Sequence, residues 1–564
     1  VRKLLFSVSP LVATLSAAAP AFATTWYVSP SGPNSSGCDS RETPCSLGAA
    51  ASGAMPGDTV ILTDGVYNTS LYVANSGTAA APITFKADEC STPIIEGPGV
   101  APDADNQDGG VASATASYLR FDGIVARGWN TGFGNGWTGN HTTDSNGHWE
   151  IENCIGDMNG RTGFTSFSAE GFKLKHSISA HNGTSTLHSW SSGITLYASP
   201  MGSVEGNVSF ENMDAQQHTD GSGFIADESS DGASFVNNLA FANGGSCLRL
   251  TRSSNVKFIN NTCYHDARDP LATGPTDPDE VYFSNAPSDM STITGISFFN
   301  NALVALGSGA GLKAVNYNPT SGWSNNATAT ATVSYFNGAE GTNPDFTLAS
   351  GASMLLGMGN ASGAPTNDLG LDPKCIVKKT PTVIGMMAKG DWWSYSIDYD
   401  YIKSIGGVAK CFNPKPRSGT PDVGSYASGA VTTAMPNTCT PPKVGNGLVM
   451  GSGGSGSGGA AATAGSASTS GGTGTGTSGG TGTGTSGGTG TGTGGTGSAS
   501  GGAPATPIGG AAATNAGAAS TASPADPGGC GCKSVGGASS RFGYSSFALL
   551  GLALLRMRRR GALR

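Results

Sequence analysis

Short β-prone segments, each closed by an asparagine-centred turn, recur through the middle of the 564-residue chain. They are Ile151-Glu152-Asn153-Cys154, Val204-Glu205-Gly206-Asn207-Val208, Phe235-Val236-Asn237-Asn238-Leu239, Phe258-Ile259-Asn260-Asn261-Thr262 and Phe298-Phe299-Asn300-Asn301-Ala302. Leu174-Lys175-His176-Ser177 fits the same register, with histidine replacing asparagine. The key position falls at 153, 176, 207, 238, 261 and 301, so the steps are 23, 31, 31, 23 and 40 residues. A helical repeat keeps its length, whereas the coils of a β-solenoid accept loops of different size between strands. An immunoglobulin-like sandwich would show hairpin turns instead of one asparagine at a constant register. The repetition therefore predicts an all-β, parallel solenoid.

Each coil carries a second strand after a glycine-rich turn: Gly163-Phe164-Thr165, Gly193-Ile194-Thr195-Leu196, Gly223-Phe224-Ile225-Ala226, Cys247-Leu248-Arg249-Leu250, Val281-Tyr282-Phe283 and Gly311-Leu312-Lys313-Ala314. Strand alternation sends Phe164, Ile194, Phe224, Leu248, Val281 and Leu312 inward. It stacks Thr165, Thr195, Ile225, Arg249, Tyr282 and Lys313 in one outward column. The turn asparagines are expected to form amide ladders along the stack.

Composition divides the rest of the chain. Glycine accounts for 88 residues, and the stretch 445–529 is almost wholly Gly, Ser, Thr, Ala and Pro, which cannot bury a core. The expected organisation is a signal peptide over 1–23, a β-helix with a terminal cap over 24–443, a disordered linker over 444–529 and a sorting tail over 530–564. Arg2 and Lys3 before the apolar run 4–19, with Ala21-Phe22-Ala23 as a cleavage site, read as a secretory signal. The linker repeats Ser-Gly-Gly-Thr-Gly-Thr-Gly-Thr from Ser470 and again from Ser478, and a coil of this length reaches about 50 Å.

The two ends hold nine of the 30 Lys and Arg, which leaves 38 acidic against 21 basic residues between them, a net charge of −17. A nucleic-acid binder needs a basic face, so that class is excluded. A polyanionic sugar would need a metal ion or a local basic cluster to approach such a body. Cys38 with Cys45, and Cys375 with Cys411, are expected to pair in an exported chain. Cys154, Cys247 and Cys263 read as small apolar core residues.

Two resemblances add to this reading. The tail has Cys530-Gly531-Cys532, the apolar run 542–555 and then Arg556, Arg558, Arg559 and Arg560. It resembles the MYXO-CTERM type of sorting signal, which implies a processing protease as partner, a short apolar helix and membrane contact through the tail alone. Trp26-Tyr27-Val28-Ser29-Pro30-Ser31-Gly32, Pro44-Cys45-Ser46-Leu47, Pro56-Gly57-Asp58-Thr59-Val60-Ile61-Leu62, Gly65-Val66-Tyr67, Tyr118-Leu119-Arg120-Phe121-Asp122-Gly123 and Pro421-Asp422-Val423-Gly424-Ser425-Tyr426 resemble segments of right-handed parallel β-helix proteins, the family 9 polysaccharide lyases among them.

That likeness implies a calcium-assisted β-elimination in which an Asp-Gly-x-Gly-Phe-Lys run presents a basic lysine. Here Asp220-Gly221-Ser222-Gly223-Phe224 is followed by Ile225, and Ser191–Thr195 and Gly244–Cys247 hold no paired aspartates. Arg249, one coil on in the outward column, is the replacement candidate for the base, with a surface ion pair to Asp227 or Glu228 as its bland alternative. Lys313 and His218 are further catalytic candidates, His218 as part of a proton relay with His265 and Asp266. Arg252, Trp129 and Trp137 are candidates for binding sugar. The insertion 128–149 carries those two indoles with His141 and Trp149, and the alternative is that they close a loop onto the barrel. Trp392-Trp393 reads as core or cap. Asp220, Asp227 and Glu228, in a stretch with Asp214 and Asp231, are the candidate calcium ligands, or a carboxylate pair for glycoside hydrolysis, or simple turn caps. The expected function is a surface-tethered, secreted lyase acting on extracellular uronic-acid polysaccharide. A non-catalytic glycan-binding or adhesive protein and a β-helix glycoside hydrolase are the alternatives.

Overall fold

The computed structural model describes residues 23–35, 37–99, 109–135, 147–187, 190–269, 271–272, 279–284, 293–305, 313–315, 323–330, 335–379, 393–429 and 439. The expected signal peptide, linker and tail lie outside them. Among the described residues three parallel sheets run the length of the coil. Sheet A has eleven strands, from Thr25–Val28 to Trp323–Ser324; sheet B has ten, from Gly65–Tyr67 to Ala327–Thr330; sheet C has nine, from Leu71–Tyr72 to Lys313–Val315. Every strand in them pairs with the equivalent strand one turn away, which makes a right-handed parallel β-helix.

The core is a set of columns. In sheet A, Val60, Phe85, Phe121, Ile151, Leu174, Val204, Phe235, Phe258 and Phe298 stand in register and are buried. In sheet C, Phe133, Phe164, Ile194, Phe224, Leu248 and Val281 do the same. Like-on-like stacking gives aromatic pairs such as Phe133 with Phe164, ring centroids 4.8 Å apart. Burial of each such side chain is worth about 1.5–3 kcal/mol. Sheet B turns small residues inward instead: Ala126, Gly156, Ser179, Ser209, Ala240 and Cys263. It can thereby lie close on sheet C, where a Cβ added at Gly156 would stand 2.7 Å from the Gly163 Cα. The Leu312 position of the inward column lies outside the described residues.

The turn asparagines occupy two adjacent columns, not one. Gly123, Asn153, His176, Gly206, Asn237, Asn260, Asn300 and Asn325 take the left-handed conformation between sheets A and B. The next residue in each rung points inward and forms the ladder: Cys154, Ser177, Asn207, Asn238, Asn261, Asn301 and Asn326. The expected register therefore needs correcting at its first two members, since Asn153 and His176 belong to the left-handed column. Where the ladder is made of asparagine, each Oδ1 accepts the backbone N–H of the previous rung, as Asn238 does from Asn207 at 2.9 Å. Each Nδ2 donates to a carbonyl of the strand below, as Asn238 does to Val204 at 2.9 Å.

Sheet B is also unusual on its outer face, which is apolar. Val125, Ile155, Ile178, Val208, Leu239, Phe210 and Phe241 are covered by residues 335–379 and 393–427, whose Tyr335, Phe346, Leu355, Ile376, Tyr395, Ile402, Phe412 and Tyr426 share one core with them. The helix Tyr399–Ile405 in that segment starts at Asp398, which accepts from the Tyr401 N–H, and stops at left-handed Gly406. Cys38–Cys45 and Cys375–Cys411 pair as expected. Cys247 and Cys263 do not stay as free core thiols: they form a disulfide between the approach to sheet C and sheet B. Cys154 is a buried free thiol. Cys90 pairs with Cys439, a bridge the sequence reading did not contain. Among the described residues no helix is long and apolar enough to cross a membrane.

Candidate active site

The outward face of sheet C carries the column read from the sequence. Thr165 pairs with Thr195, Thr195 with Ile225, Ile225 with Arg249, Arg249 with Tyr282 and Tyr282 with Lys313. Strand Phe224–Asp227 presents Ile225 and Asp227 outward, and strand Leu248–Thr251 presents Arg249 beside them on the next rung. Lys313 is placed by its backbone register two rungs beyond Arg249, and its side chain lies outside the described residues.

The loop 214–220 folds over this face. Asp214 stitches it together: its Oδ2 accepts from the Thr219 N–H at 3.3 Å, the Thr219 hydroxyl at 3.2 Å and the Asp220 N–H at 3.3 Å. The loop then supplies two partners to Arg249. Its Nη1 donates to the Thr219 carbonyl at 2.9 Å and to the Asp220 carboxylate, and its guanidinium lies 5.6 Å from the Tyr282 ring centroid. Beside it, the Arg252 guanidinium pairs with Glu228, which also accepts from the Tyr197 hydroxyl at 2.9 Å. His218, on the same loop, holds Asp269 from the equivalent loop two rungs on, Nδ1 to Oδ2 2.7 Å.

Electrostatics divides these groups into roles. Burial alone would lower the Arg249 pKa, but Asp220 and Asp227 outweigh it and hold the guanidinium above its usual value. An arginine fixed this firmly as a cation binds an anion well and takes up a proton poorly. Its electrostatics therefore favour an anion-holding role for Arg249 over the expected role of base. Burial raises the Asp220 carboxyl against the pull of Arg249. Burial also pushes Asp227 up to about 6, with Arg249 again opposing. Arg161, at the foot of the face, is drawn down to about 10 by burial, while Asp220 and Asp214 resist. Three arginines, Arg161, Arg249 and Arg252, thus meet four carboxylates, Asp214, Asp220, Asp227 and Glu228, so the charges at this face largely balance one another. A carboxylate against Nδ1 of His218 favours the proton on that nitrogen and leaves Nε2 with its lone pair.

Several expected residues take other roles. Trp129 is a core residue, 7% exposed, with its Nε1 donating to the Ile95 carbonyl at 2.9 Å, so it offers no face to a sugar. Trp149 is fully buried and donates to Ala116. Trp393 is buried against His181, in keeping with a core or cap role. Trp137, His141 and Trp392 lie outside the described residues. The calcium ligands do not fit a cation as arranged: Asp220 faces Arg249, Glu228 faces Arg252, and among the described residues no group of three His, Cys, Asp or Glu side chains converges. No step below is routed through calcium.

Sequence reasoning missed Asp269, Arg161 and the 55% exposed Trp190, whose neighbour Ser191 accepts from the Gly221 N–H one rung on. Only the coil stacking brings these residues to the site; Asp269 lies 51 residues from His218.

No protein-family profile matches the chain, and no curated protein sequence does. Among solved structures, pectate lyase Pel9A is similar at 14% identity, over 72% of this chain and 96% of that one, with a TM-score of 0.40. A rhamnogalacturonan lyase is similar at 16% identity over 56% and 91%, TM-score 0.35. An alginate lyase from Paenibacillus sp. str. FPU-7 is similar at 13% identity over 48% and 97%, TM-score 0.29. These are β-helix likenesses. At identities this low, no activity passes from them to this chain.

Proposed function

We propose that the protein is an exported, surface-tethered polysaccharide lyase that cleaves a uronic-acid polymer by β-elimination on the outward face of sheet C. One observation carries the reading: adjacent residues of loop 214–220 engage both groups, His218 with Nδ1 on the Asp269 carboxylate and Thr219 with its carbonyl on the cationic Arg249. β-Elimination needs that combination, a base for the proton α to a carboxylate and a cation to stabilise the charge that develops there. Arg249 binds the uronate carboxylate. His218 Nε2 accepts the C5 proton, the C–H electron pair becomes the C4–C5 double bond, and the C4–O bond breaks. Asp227, its carboxyl raised to about 6, gives its proton to the departing glycosidic oxygen. Arg252 and Tyr197 line the same face and contact neighbouring sugars.

A second reading, hydrolysis by the carboxyls of Asp220 and Asp227, is favoured by their shared burial beside Arg249. One experiment separates the readings. The 24–443 region is incubated with uronate polymers, with and without a chelator, while ultraviolet absorbance and reducing ends are followed together. The lyase reading expects both signals to rise, in chelator as well. Reducing ends without absorbance would establish hydrolysis, and retention on a polysaccharide column with neither signal would establish binding. Loss of turnover in chelator would place a cation at the site.

A further inference from the structure

A second ladder runs along the corner between sheets B and C, and its last member is an acid. Asn159, Asn182, Asn212, Asn243 and Asp266 succeed one another, each at most 1% exposed. In every asparagine step one Oδ1 accepts twice from the rung before. Asn243 Oδ1 does so from Asn212, from N at 3.0 Å and from Nδ2 at 2.8 Å. Each amide nitrogen also donates to a sheet B carbonyl one rung below: Asn182 to Gly156 at 3.0 Å, Asn212 to Ser179 at 3.3 Å and Asn243 to Ser209 at 2.9 Å.

Asp266 keeps the first half of this pattern. Its Oδ1 accepts from Asn243 N at 2.8 Å and from Asn243 Nδ2 at 2.7 Å. Its Oδ2 stands where the other rungs have a donating NH2, and it is buried without a hydrogen-bond partner. By the register that pairs Ser209 with Ala240, the carbonyl due to receive the missing donor is that of Ala240. The Asp266 N–H in turn donates to Glu280 Oε1 at 3.1 Å, and Glu280 is fully buried. Two acceptor-only carboxylates cannot complete such a column, but a carboxylic acid can, because its O–H replaces one N–H of the amide.

We propose that Asp266 is a neutral acid at neutral pH, the carboxylic equivalent of a ladder asparagine, and that the Asp266–Glu280 pair retains this proton to position the active site. The pair lies between the two halves of that site. Asp266 begins the turn whose Asp269 orients His218, and this turn is fastened to 243–245 by the N–H groups of Ala267, Arg268 and Asp269. Glu280 begins the strand that carries Tyr282 under Arg249. Burial raises the Asp266 carboxyl; the Glu280 carboxyl is raised by burial first, then by its neighbour Asp266 in the pair, and least by Asp279, the further charged group that acts on it. Asp266 and Glu280 are positioning residues and touch no substrate. A folded-state pKa raised above the unfolded value means that stability declines as pH rises from the ordinary carboxylate range toward that of the pair.

The positioning role rests on the lyase reading, whereas the proton itself does not. The infrared difference spectrum between the intact chain and its Asp266→Asn variant at neutral pH should show the C=O band of a protonated carboxyl, present in the parent and lost in the variant, whatever Glu280 contributes to both. The same variant should fold, keep its turnover and lose the Asp266 share of the decline in Tm between the ordinary carboxylate range and about 7, since its amide supplies the donor at any pH. Asp266→Leu should lower kcat at least about tenfold, because it leaves the Asn243 donors and the Ala240 carbonyl unmet in the corner that holds the base. If the band is absent, or if it survives Asp266→Asn, the neutral acid is overturned. If Asp266→Leu turns over substrate as the parent does, the positioning role is overturned. If the band behaves as stated and no uronate polymer is cleaved by any form, the acid stands and the lyase reading fails.

Discussion

Arg249 is held as a cation by loop 214–220, whose Asp220 carboxylate and Thr219 carbonyl both face it. Its Asp220 partner is almost fully buried, so removing the cation leaves a carboxylate with nothing to compensate it. Arg249→Ala should abolish turnover and cost about 3–5 kcal/mol of stability, read from chemical denaturation. Arg249→Ala combined with Asp220→Ala should recover most of that stability and none of the turnover. If the single variant keeps turnover, the anion-holder role is wrong. A second buried ion group sits away from the site. His181 bridges Asp157 at 2.8 Å and Glu211 at 3.2 Å, beneath the Tyr395 carbonyl of the covering segment. Burial would lower its pKa, but the two carboxylates outweigh burial and raise it to about 10. The raised value means that this contribution to stability is complete below the unfolded pKa of about 6.5 and is lost as pH rises through about 10. Hydrogen exchange at Tyr395 and its neighbours should accelerate over that window, and uniform protection across it would contradict the assignment.

The ladder between sheets A and B works rung by rung, and a break in it is local. Asn238 accepts from both the N–H and the Nδ2 of Asn207 and donates to the Val204 carbonyl. Asn238→Ala strands those groups inside the barrel and should cost about 3 kcal/mol or more, at about 1–3 kcal/mol for each unmet group. Asn238→Ser should cost less, because Ser177 already serves as a rung, its hydroxyl accepting the Cys154 N–H at 3.1 Å. Equal losses of Tm in the two variants would show that side-chain volume, not hydrogen bonding, is what matters there. The coil and its outward column on sheet C were legible in the sequence because alternation along a strand has period two and parallel pairing preserves it from rung to rung. The corner was legible only to within one residue. Asparagine suits both the left-handed position and the ladder position, so Asn237-Asn238 and Asn260-Asn261 do not say which is which.

The return of residues 335–379 and 393–427 covers the outer face of sheet B. It also explains why the coil needs a bridge between distant parts of the chain. Cys90–Cys439 joins residues 349 apart and ties the end of the covering segment to the early rungs. Cys439→Ser should lower stability by about 2–5 kcal/mol, the usual cost of losing a native disulfide. The loss should appear as an early unfolding step in which segment 335–427 gains exchange before the Phe235 and Phe258 rungs do. A single cooperative transition with unchanged midpoint would argue against this role. Among the described residues, sheet B is covered by the chain that follows the coil, and loop 214–220 lies over the Ile225 and Arg249 rungs of sheet C.

Sequence alone specified what repeats: the inward columns of sheets A and C, the outward line through Ile225, Arg249, Tyr282 and Lys313, and two of the four disulfides among the described residues. These follow from local rules, since strand period and turn chemistry act over a few residues and the solenoid copies them. Folding alone settled which charges meet. Asp220 and not Asp227 or Glu228 pairs with Arg249, Asp269 reaches His218 across two turns of the coil, and Trp129 goes inside. Loops of unequal length set those meetings, and no short-range rule gives where a loop of given composition folds back.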